Sequence, residues 1–106
     1  MSATVEVWLR SRIADVPASL AQLMMEAAAD VADDGPVSMQ LAEASLACLR
    51  AVLPHCDERS AALQLLAADA LSTYACEAAA DHQDEGGMDA LAERFAATRL
   101  ATLVGA

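Results

Sequence analysis

With 16 acidic and 6 basic residues among 106, the chain carries a net charge of −10. Such a chain lacks the cations that displace counterions from a duplex, so nucleic acid is excluded as a partner and an anionic membrane surface is disfavoured. Hydrophobic residues reach 57% but aromatics only 3%, and the excess is alanine, a strong helix former that withdraws little apolar area from water.

That balance predicts an all-α fold, a single domain over 1–106 arranged as a four- to five-helix up-down bundle. Close packing of alanine faces, or burial against a second copy of the chain, would have to complete so lean a core.

In chain order, the segment from about Ser2 to Ala14 places Val5, Trp8, Leu9, Ile13 and Val16 on one helical stripe. Val5, Val7 and Leu9 also alternate as in a strand, but the stripe runs on past Arg10 and favours a helix. Asp15 and Pro17 suit the next helix start, one as a cap and the other in the first turn. Leu20, Leu23, Met24, Ala27 and Val31 form its face, and Asp33-Asp34-Gly35-Pro36 stops it. Two carboxylates at the negative end of the helix dipole predict fraying there.

Ser38 is the expected cap of a third helix, with Ala42, Leu46, Leu49 and Leu53 on one face. Leu41, Cys48 and Val52 widen that face, which implies burial on more than one side. Pro54 closes the helix, and Asp57 is the expected start of the longest segment, running to about His82. As one helix this would approach ~40 Å, with Ser72-Thr73 its weakest point. Its stripe is Leu63, Leu66, Ala67, Ala70, Leu71, Tyr74 and Ala78. Gly86-Gly87 ends it, and a last helix runs from Asp89 to about Val104 around Leu91, Phe95 and Leu103.

Cys48, Cys56 and Cys76 are odd in number and form no CxxC pair, so no disulfide framework is expected. The opening residues hold no basic-then-apolar leader, and Gln64, Asp69 and Glu77 break the most apolar stretch. The expectation is a cytoplasmic protein without a membrane partner.

Chemistry is sparsely signalled. His55 and Cys56 stand side by side in a loop, and zinc accepts both imidazole and thiolate. Asp69, Thr73 and Glu77 lie one helical turn apart, a spacing that in some bundles holds metal. Those bundles use Glu-x-x-His pairs, which this chain lacks. The expectation is therefore no metal and no cofactor, with His55, Cys56, Asp69 and Glu77 the weak candidates and a solvated face the simpler reading. Asp69, set between alanines, also suits burial against an arginine from another helix.

No triad, phosphate loop or dinucleotide fingerprint is legible, so no catalytic residue is assigned. The leading reading is a non-enzymatic module for protein interaction or self-association, with a homodimer or another protein as partner. Trp8, Met24 and Met39 are the interface candidates, because large aromatic and adaptable side chains favour such surfaces. The alternative is a small-ligand- or metal-binding bundle, with its site among Asp69, Thr73, Glu77, His55 and Cys56 in a pocket lined by polar groups from facing helices; an enzyme stands third, without a reaction to name.

Overall fold

The computed structural model describes residues 2–32, 34–82 and 87–103, with the backbone alone at 82 and 98–103. Among the described residues there are five α-helices: α1 (Ala3–Arg12), α2 (Ala18–Ala29), α3 (Val37–Val52), α4 (Ala62–His82) and α5 (Gly87–Leu103). None of these residues is in a strand, and the fold is an all-α helical bundle. Asp33, Asp84, Glu85, Gly86 and Val104 lie outside the described residues.

The competing readings of the first segment are decided by burial. Val5 and Leu9 are 1% and 0% exposed whereas Val7 is 71% exposed, which a helix permits and a strand, with all three on one side, would not. Ser2 caps α1, its hydroxyl accepting the Val5 N–H at 3.2 Å. Gln40 of α3 ties this end down. Its amide nitrogen donates to the Ser2 hydroxyl at 3.4 Å and to the Gly35 carbonyl at 3.0 Å.

Three expected helix starts are corrected. α2 and α3 follow directly on Pro17 and Pro36, neither with a side-chain cap. A proline fixes φ for helix entry and leaves one fewer orphan N–H to satisfy. Asp15 stays exposed in the turn, and Ser38 is buried in the first turn of α3. Asp57 does not start α4. Leu53–His55, with Pro54 in it, and Arg59–Ala61 form two 3-10 turns, and the α-helix begins only at Ala62.

Gly35 has φ +86 between α2 and α3, a backbone state that L side chains rarely adopt.

The expected weak point at Ser72-Thr73 is absorbed. Both hydroxyls donate to the carbonyl oxygen of Asp69, at 2.7 and 3.1 Å, and α4 runs unbroken through them. Its 21 residues extend about 32 Å, close to the 36 Å length of the whole molecule.

Helix α3 is the hub. It packs on α1, α2, α4 and α5, most extensively on α4, with which it forms an antiparallel hairpin around the 3-10 turns. Small residues set the spacing. The buried side of α4 carries Ala67, Ala68, Ala75, Ala78 and Ala79 around a lone fully enclosed leucine, Leu71. On α3, Ala42, Ala44 and Ser45 are equally buried.

Ser45 shows how near the helices come, because its one-carbon side chain donates to the Ala68 main-chain carbonyl at 2.7 Å. A leucine at the contact would hold the axes further apart. The larger side chains Val5, Leu9, Met24, Leu41, Leu71 and Leu91 join most of these small residues in one buried core.

Candidate functional site

The fold keeps Asp69 and Thr73 together on α4 and separates them from His55, Cys56 and Glu77. His55 and Cys56 are exposed in the turn after α3, and His55 Nδ1 lies 3.7 Å from Glu58 on the same turn. Glu77 faces α1, 3.6 Å from Arg12, which also pairs with Asp81. Asp69 is exposed on α4, rather than buried against an arginine. Among the described residues no three of His, Cys, Asp and Glu gather as a metal-holding group.

The interface candidates separate as well. Trp8 is buried, edge-on to Tyr74 with ring centres 6.3 Å apart, and the Arg12 guanidinium sits 4.7 Å from its ring centre. It anchors α1 to α4. Met24 is enclosed in the core, presenting no surface to a partner. Met39 is half-buried and packs against the core beside the α2–α3 turn.

What the fold assembles instead is an open cleft between α3, α4 and α5, with a volume of about 500 Å³. Its walls are Leu46 and Leu49 from α3, Leu65, Ala68 and Cys76 from α4, and Phe95 from α5. Leu49, Leu65 and Phe95 are each only half-buried. Polar groups edge it: Ser45 and Arg50 on α3, and Asp69, Ser72 and Thr73 on α4. Apolar walls with a few placed polar groups, at this volume, are the usual form of a binding site.

The third wall is held in place by two devices. Leu91 of α5 is 1% exposed in the common core, and Arg94 hydrogen-bonds and ion-pairs with Glu43 of α3. The hydrogen bond from Arg94 holds the Glu43 carboxyl below its ordinary range, outweighing the opposing effect of burial. The sign of the linkage follows. A carboxyl whose pKa is depressed on folding adds stability above the ordinary glutamate value, and that stability is lost as pH falls through the depressed value.

Glu43→Gln is expected to lower stability by about 0.5 kcal/mol at neutral pH, the scale of a partly exposed pair. It should also flatten the decline in acid. Thermal melts of both proteins from neutral into the acidic range check this, and parallel curves would contradict it.

Of the thiols, Cys76 faces the cleft, while burial raises the Cys48 pKa and keeps that thiol in its unreactive neutral form. Among the described residues no helix is long and apolar enough to cross a membrane.

Asp69 and Thr73, two of the residues expected at a polar-lined pocket, do border the cleft, while His55, Cys56 and Glu77 do not line it; its apolar walls were not expected, although the sequence holds a sign of them. Leu63, Leu65 and Leu66 crowd one turn of α4 and cannot share a face. Leu66, assigned to the buried stripe, is 54% exposed, and Leu65 looks into the cleft.

No protein-family model, curated protein or solved structure matches the chain.

Proposed function

We propose that this protein is a non-enzymatic interaction module, a helical bundle whose α3–α4–α5 cleft receives an apolar helix face of another polypeptide. The observation that carries the reading is the cleft itself, a groove between helices in which Leu49, Leu65 and Phe95 keep apolar surface open to solvent. Helix-in-groove docking uses such surfaces, with anchors spaced one turn apart seated between leucines and an aromatic ring.

Self-association through the same face would bring together two chains of net charge −10, so a heterologous partner is the stronger form of the proposal. Three free cysteines suit a reducing compartment such as the cytoplasm. A second reading, a small apolar ligand, is favoured by the cleft volume alone, which falls in the range of ligand pockets.

The test is a fluorescence-anisotropy titration with a labelled amphipathic peptide of about five helical turns, built from leucine, alanine and glutamine. Binding is expected, and Leu65→Gln should weaken it roughly tenfold by removing an apolar wall. A variant that binds as well as the parent protein, or a parent that binds no helical peptide, would overturn the proposal.

A further inference from the structure

The hydroxyls of the cleft are all turned the same way. Ser45 donates to the Ala68 carbonyl, and Ser72 and Thr73 both donate to the Asp69 carbonyl. Each hydroxyl has one proton to give, and here each has given it to a main-chain oxygen. What these oxygens have left are lone pairs, so toward the groove they act only as acceptors. The Asp69 carboxylate beside them is also an acceptor, and it carries a full negative charge. The α4 edge of the groove therefore meets a hydrogen-bond donor well and another acceptor poorly.

Arg50, on the opposite wall, is the one cation among the described residues that line the cleft. It also borders the neighbouring depression with Glu43, whose carboxylate lies within its field. Its charge is thus shared with a second acid, whereas Asp69 stands on the α4 side beside the Ser72 and Thr73 hydroxyls.

Resting on the reading of the cleft as a helix-binding groove, we infer that the partner helix is cationic and amphipathic. Its leucine-like face lies between Leu49, Leu65 and Phe95, and a lysine or arginine on its flank is received by Asp69 and the Ser72 and Thr73 oxygens. Charge complementarity acts at two ranges. The chain's net charge of −10 draws a basic segment from solution, and the acceptor edge fixes its register once it docks. An acidic helix would meet repulsion at long range and unpaired acceptors at contact.

The experiment compares three labelled peptides on one amphipathic helical template, with lysine, glutamine or glutamate as the polar residue, titrated against the full chain by anisotropy. The lysine peptide is expected to bind tightest and the glutamate peptide weakest. Asp69→Asn keeps the shape and, because Asp69 is exposed, the fold. It should weaken the lysine peptide roughly fivefold and leave the glutamine peptide unchanged.

Asp15→Asn, in the exposed turn between α1 and α2, removes the same charge away from the cleft and is expected to have almost no effect. Equal losses from the two variants would reduce the preference to overall charge and overturn the inference. Glutamine and lysine peptides of equal affinity, both sensitive to Leu65→Gln, would overturn it too while leaving the interaction reading intact. If none of the three binds, both fall.

Discussion

Leu41→Ala is expected to destabilise the protein by about 3 kcal/mol and to lower its melting temperature by roughly 12–20 °C. The residue sits on α3, the helix that packs on the other four, and is completely enclosed. Truncation removes apolar contact and leaves a cavity that the surroundings can close only in part. The core it belongs to is rich in alanine and poorly able to respond. Ala42, Ala44, Ala67, Ala75 and Ala78 are also completely enclosed, and an alanine has no rotamer with which to fill a void. A loss below about 1 kcal/mol, by urea or thermal unfolding, would show that Leu41 is not the keystone its burial implies.

The second large effect runs against the usual rule that a larger apolar residue strengthens a core. Ala75→Leu is expected to cost about 2 kcal/mol, because the extra side chain has no space at a fully enclosed position of α4. The Ser45 hydroxyl bond to the Ala68 carbonyl shows how closely α3 and α4 approach, and forcing them apart would break it. The buried Ser45 oxygen and the Ala68 carbonyl would then both need new partners. Unfolding curves for the variant decide the matter; a protein as stable as the parent would mean that alanine here is filler rather than spacer.

Much of the fold was legible because helical periodicity is a long signal. Val5, Trp8, Leu9 and Ile13 were correctly grouped on one stripe, and all four are buried. So were Ala67, Leu71 and Ala78 on α4. The expectation of an alanine-packed core is met within one chain, by the seam between α3 and α4.

Helix starts were less legible, since Asp15, Ser38 and Asp57 are good caps by residue type alone. The competing effect was proline. Pro17 and Pro36 preset the entries of α2 and α3 with no side-chain cap, and Pro54 drew the end of α3 into a 3-10 turn that displaced the start of α4.

The site was the least legible part. A cleft belongs to three helices at once, and Leu49, Leu65 and Phe95 meet through the α3–α4 hairpin, the buried Leu91 and the Glu43–Arg94 pair. Met24 misled because a methionine on an apolar stripe looks alike whether it faces the core or a partner. Asp69 was noticed for its alanine neighbours, which suggested burial, yet it lies exposed at the cleft edge because α4 turns that face outward.

The most direct test of the whole account is a map of amide shifts in the ¹⁵N-labelled chain as the leucine–lysine helical peptide is added. The account predicts shifts concentrated at Leu49, Leu65, Asp69, Cys76 and Phe95, with the Trp8 indole signal unmoved. Shifts centred on α1 and α2, or spread thinly over the acidic surface without a focus on the cleft, would contradict it.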